Sequence, residues 1–161
     1  MRHIVSKHDR MNRAPERARP GDNYYQAMAE FRHQIRRFLS FSEQVAEAAG
    51  VAPQQHLLLL ALRGLPAGTR PSIRVLADRL LLKHHSVVEL VDRSERMGLV
   101  RRAADRNDRR QVMIGLTAKG ERVLQKVFVR NRRRLRSQSS ELANALARLA
   151  REQGTRKRRG R

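Results

Sequence analysis

Apolar side chains recur in steps of four and three from Tyr24 onward, at Tyr24, Met28, Phe31, Ile35, Phe38 and Val45, with Ser42 on the same row. Such steps keep one face of a 3.6-residue helix apolar, so the spacing predicts a long amphipathic helix ending at Gly50. Pro53 fits the first turn of a second helix, where its missing N–H has no intrahelical partner to lose. The block Leu57–Leu62 makes that helix dense enough to be buried on most sides, with a stop at Gly64. Residues 64–71, rich in Gly and Pro, read as a loop. Ser72 is a good N-cap for a short helix through Leu80 that turns Val75, Leu76 and Leu80 inward. Another helix runs from about His84 to Met97, with Val87, Leu90, Val91 and Met97 inward, and closes at Gly98.

After Gly98 the period changes. Leu99-Val100-Arg101-Arg102 and Gln111-Val112-Met113-Ile114-Gly115-Leu116 read as strands flanking a charged turn, Ala104 to Arg110. Thr117 then caps a long last helix. Leu124, Phe128, Asn131, Leu135, Gln138, Leu142, Ala145 and Leu149 alternate there by four and three; Phe128, Leu135, Leu142 and Leu149 lie seven apart, a seam against another helix that Asn131 and Gln138 make polar and imperfect. Two short helices joined by a few residues form a helix-turn-helix, and the hairpin directly after its second helix is a wing. The predicted fold is mainly α with a small β-hairpin wing, a winged helix-turn-helix between N- and C-terminal dimerisation helices.

The chain of 161 residues has room for one domain with a modest core. Its 36 Lys and Arg against 15 Asp and Glu give a net charge of +21. A net +12 survives over residues 21–150 once both ends are removed, so the excess belongs to the body as well as the ends. A balance this basic points to polyanions, DNA or RNA first. Residues 1–21 read as a basic disordered arm, 22–150 as the domain with its lobe at about 52–117, and 151–161 as a basic tail. The absence of Cys excludes disulfides, thiolate zinc sites and thiol chemistry. No apolar run approaches the roughly 20 residues of a membrane span, and no secretory signal is visible, so no membrane partner is expected.

Five stretches in order carry a family resemblance: residues 72–80, 86–93, Gly98-Leu99-Val100-Arg101-Arg102, Asp105-Arg106-Asn107-Asp108-Arg109-Arg110 and Leu116-Thr117-Ala118-Lys119-Gly120. Together they resemble the MarR family of bacterial transcription regulators. The resemblance implies a homodimer on palindromic double-stranded DNA, a cytoplasmic location, and a small aromatic or anionic ligand between the dimer platform and the lobes. Lys83, His84, His85, Ser86 and Val88 would begin the recognition helix in the major groove, where Ser and His bond base edges and Val88 meets a thymine methyl. Ser72 and Arg74 suit a phosphate at the preceding helix start. Arg106 and Arg109 are the expected wing-tip contacts to the minor groove, whose negative potential attracts Arg, with Arg110 in either role. Asp105 and Asp108 would stabilise the wing. The family's wing motif commonly carries Arg where this chain has Asn107.

Competing chemistry is thin. His84 and His85 are neighbours on a helix, pointing about 100° apart, so no metal or cofactor is expected. Asp92 and Glu95 have basic neighbours that suit ion pairs better than acid–base work. No phosphate loop, HExxH or GxSxG motif occurs, which argues against an enzyme. His33 and His56 fall near the implied ligand cleft and receive no role. The cluster Arg130–Arg136 points almost all round its helix; a solvated face is the favoured reading, and contact with nucleic acid or an acidic partner stays open. The alternative function is a sequence-independent nucleic-acid-binding protein, although six aromatics offer no evident stacking platform.

Overall fold

The computed structural model describes residues 22–104 and 112–158, apart from the side chains of 133–135 and 152–158. In chain order the elements are α1 (Asp22–Ala48), α2 (Pro53–Arg63), α3 (Ile73–Leu80), α4 (His84–Arg96), β1 (Val100–Ala104), β2 (Val112–Leu116) and α5 (Ala118–Arg158). The architecture is mainly helical with a two-stranded antiparallel wing, as the periodicity predicts. The strands pair from Val100 opposite Leu116 to Ala104 opposite Val112. Outside the lobe, α1 and α5 pack against each other, and Arg37 binds Glu141 across them at 2.9 Å. Among the described residues no helix is long and apolar enough to cross a membrane.

The core lies between α2, α3, α4 and the hairpin. Leu58, Leu59, Leu76, Val87, Leu90, Val91, Leu99, Val100 and Ile114 are all buried. Each such side chain contributes about 1.5–3 kcal/mol of burial. Short polar links fix the layers. The Ser72 hydroxyl accepts the Val75 N–H as predicted, Arg79 reaches the Gly64 carbonyl at the end of α2, and Ile114 N–H donates to Pro71 O. That last bond docks β2 beside the start of α3.

Four expectations are corrected by the packing. In α2 only Gln55, His56, Leu58 and Leu59 are buried, while Leu57 and Leu60 are exposed, because the lobe covers one side of this helix. In α4 the inward row closes at Ser94, whose hydroxyl donates to Leu90 O; Met97 is the exposed cap. In α5 the face against α1 is built by Val127, Asn131, Gln138, Ala145 and Leu149, leaving Phe128 exposed. Asn131 and Gln138 of the predicted stripe therefore turn inward together with Leu149, while Phe128 does not. The last helix also runs to Arg158, past residue 150, through residues that are mostly good helix formers.

Two positions test the backbone. A Cβ at Gly120 would clash with the Leu99 carbonyl, so Gly120→Ala should lower stability by about 1–3 kcal/mol in urea denaturation. Leu81, at the turn after α3, has φ 55 and is almost fully exposed. A left-handed Leu there is strained, so Leu81→Gly should raise stability by up to about 1 kcal/mol in the same experiment.

Candidate nucleic-acid interface

The helix-turn-helix presents one end of α4 to solvent. Lys83 is its N-cap and its side chain makes no capping bond. Lys83, His84 and His85 are exposed, and Ser86 and Val88 are half-buried. With Val87, Leu90, Val91 and Ser94 turned inward, 100° per residue puts His85, Glu89, Asp92 and Arg96 on the outward crest. Ser86 and Val88 flank that crest on opposite sides. Glu89 was not among the predicted contacts. Its exposed carboxylate can accept from a cytosine amino group, and the row of inward positions was the signal that would have found it. Ser72 is half-buried at the start of α3 and Arg74 is exposed beside it. Both lie at the N-terminal end of α3.

The wing is tied to α4 by a residue that the sequence alone does not single out. Arg102 on β1 sends its guanidinium to Asp92 at 2.5 Å and to Glu95, while its own N–H donates to Glu95 Oε1 at 2.9 Å. The backbone N–H of Arg102, then its side chain, holds the Glu95 carboxyl below the usual carboxylate range. Partial burial works against the Arg102 charge, and the two carboxylates outweigh it, so its pKa is raised. Glu95 therefore stays ionised well into the acid range, and its contribution to stability fades only as pH falls through that lowered value. The ion-pair reading of Asp92 and Glu95 holds, and their partner sets the angle between wing and recognition helix.

The exit of the wing is fastened to the same place. The Thr117 hydroxyl is shared between the carbonyls of Gly98 (2.6 Å) and Leu99 (3.1 Å) and accepts the Gly120 N–H, capping α5 as predicted. Lys119 Nζ donates to Met97 O at 2.7 Å. The wing-loop residues Asp105, Arg106, Asp108, Arg109 and Arg110 lie outside the described residues.

A cleft of about 520 Å³ opens between α1, α2 and α5, lined by Phe38, Ser42, His56, Leu60, Arg63, Glu121, Leu124, Gln125, Val127, Phe128 and Asn131. Arg63 and Glu121 face each other at its edge, 3.5 Å apart. Asn131 is 6% exposed and its Oδ1 has no hydrogen-bond partner among the described residues. His56 is also buried in this wall, and burial pushes its imidazole below the ordinary 6.5. His33 instead lies in a separate surface recess with Arg36 and Gln138. Among the described residues no three His, Asp or Glu side chains group to hold a metal ion.

Residues 49–111 match the MarR family. Comparison with curated proteins finds no match. Among solved structures the chain is similar to AbsC, a MarR family transcriptional regulator from Streptomyces coelicolor, at 22% identity over 84% of this chain and 97% of that one, TM-score 0.65. It is similar to the transcriptional regulator BldR from Sulfolobus solfataricus at 24% identity, covering 80% and 95%, TM-score 0.58. A MepR variant from S. aureus, bound to an oligodeoxyribonucleotide, is 23% identical, covering 81% and 96%, TM-score 0.54.

Two measurements probe this site. Arg102→Gln leaves an exposed pair to solvent, so stability should change by less than about 1 kcal/mol. Duplex binding, read by anisotropy, should weaken by roughly tenfold, about 1.4 kcal/mol, because the wing loses its fixed angle. His56 is neutral in the fold, so the unfolded chain takes up its proton first as pH falls. Wild-type stability should drop between about pH 7.5 and pH 5.5 more than that of His56→Gln, as read by urea denaturation at both values.

Proposed function

We propose that this chain, whose residues 49–111 match the MarR family, is a winged helix-turn-helix transcription regulator of that family, a homodimeric, sequence-specific DNA-binding repressor whose affinity for its operator is lowered by a small ligand. The observation that carries the reading is the exposed polar end of α4, held at a set angle to the wing by Arg102. In this reading His85, Ser86 and Glu89 read base edges, Lys83 and His84 approach the backbone, and Val88 meets a thymine methyl. Ser72 and Arg74 hold a phosphate, and Arg106, Arg109 and Arg110 reach toward the minor groove from a wing braced by Asp105 and Asp108. The role is a cytoplasmic one.

Dimerisation is supported by apolar side chains left exposed on the outer helices. Tyr25, Leu39, Phe128 and Leu146 are each about half exposed or more. A two-fold dimer presents two copies of α4, so its operator would be an inverted repeat with half-sites about one helical turn apart. Ligand control is supported by the cleft beside α2. Phe38, Leu60, Leu124 and Phe128 suit an aromatic ring, Arg63 suits an anionic group, and Asn131 Oδ1 suits a ligand hydroxyl. A ligand bridging α2 and α5 there would favour one lobe spacing over others and so shift the dimer away from its DNA-competent form.

Selection of bound sequences from a random duplex pool near physiological salt tests the reading. The expected result is enrichment of one inverted repeat. Ser86→Ala should blunt that enrichment, and Arg109→Ala should weaken all duplexes alike. Tight, salt-sensitive binding with no enriched motif would replace the regulator by a general nucleic-acid binder.

A further inference from the structure

The positive charge of this chain is heaviest away from the recognition helix. Helix α5 holds 13 Lys and Arg against three Asp and Glu, whereas α1 holds three against four. Between Glu121 and Glu141 lie seven basic residues and no acid. The two bounding carboxylates are already engaged, Glu121 with Arg63 and Glu141 with Arg37. Arg130 is turned to the Ala48 carbonyl at the end of α1 and so belongs to the α1–α5 junction.

The remaining described cations are ordered by the helix. Taking Asn131, Gln138 and Ala145 as the face against α1, Arg122, Lys126 and Arg136 fall on the opposite side, in one row with Val129 and Ser140. All five are exposed. At 1.5 Å per residue the cations of the row span about 21 Å. The row begins near the C-terminal cap of α4, since Lys119, one turn earlier, is bonded to the Met97 carbonyl there. The exposed apolar pair Phe128 and Leu146 lies about a third of a turn away. Self-association through the basic row would set like charges against each other, so a dimer built on the apolar pair leaves the row open to solvent.

We propose that the Arg122–Lys126–Arg136 row of α5 is a second DNA-backbone surface, which holds double-stranded DNA outside the stretch read by α4. The inference rests on the DNA-binding reading above and extends it to a face that the helix-turn-helix does not use. A rigid row of uncompensated cations suits a regular phosphate lattice, and it gains affinity through counterion release without reading bases. DNA is favoured over an acidic protein because an unbroken row of cations about 21 Å long matches a regularly spaced phosphate lattice.

The full-length protein, wild type and Arg122→Gln/Lys126→Gln/Arg136→Gln, would be titrated against a duplex the length of the selected site and against one about three times longer, over a range of salt. On the long duplex the triple variant should show a log–log salt slope shallower by about 2–3, near 0.9 for each phosphate that is no longer neutralised. On the short duplex its affinity, and its sequence enrichment, should match wild type. Unchanged slope and affinity on the long duplex, with thermal unfolding also unchanged, would overturn the proposal and leave the row to another acidic partner. Loss of slope in a protein that enriches no sequence would uphold the row and sink the regulator reading instead.

Discussion

The Leu99 carbonyl is where the recognition helix, the wing and the last helix meet. α4 ends in a turn that only a left-handed residue closes smoothly, and Gly98 supplies it at φ 68. Leu99 N–H then returns to Ser94 O, which buries the Leu99 side chain and aims the chain into β1. The same carbonyl accepts the Thr117 N–H, and Gly120 lies against it so closely that no side chain fits. Three elements are thereby fixed to one peptide group. The point at which the wing leaves α4 and the direction in which α5 leaves the lobe follow from that junction, and Arg102 then holds the wing against α4.

Electrostatics then divides the molecule into surfaces with different tasks. At the lobe, acids and bases are interleaved. Asp92 and Glu95 neutralise Arg102 within the fold, so that residue positions the wing and adds no free charge to the surface. Along α5 the positive side chains are sorted by direction. One ties to the end of α1, and others stand on the solvent face with no acid between residues 121 and 141. Coulomb attraction to a polyanion is strongest where such charges are uncompensated, which is the physical basis of the surface proposed on α5.

A cleft lies between the lobe and the α1–α5 platform. α2 belongs to the lobe on its Leu58 and Leu59 side and to the α1–α5 platform through His56 and Leu60. The apolar walls of the cleft and the single unpaired acceptor at Asn131, among the described residues that line it, are the features on which the proposed ligand control rests.

Local periodicity determined much of this protein. The steps of three and four in α1, the Ser72 and Thr117 caps, the change to period two after Gly98 and the resulting order of helix-turn-helix and wing depend on near-neighbour physics that a sequence displays directly. The candidate DNA face of α4 was legible for the same reason, since inward positions define outward ones. Tertiary structure decided which members of the predicted α5 stripe turn inward, burying Asn131, Gln138 and Leu149 and leaving Phe128 exposed. It also decided that Arg102 commits its charge to Asp92 and Glu95, and that His56 is buried in a cleft wall. These outcomes depend on contacts between residues far apart in the chain or on different elements, and periodicity within one element carries no information about which neighbour it will meet.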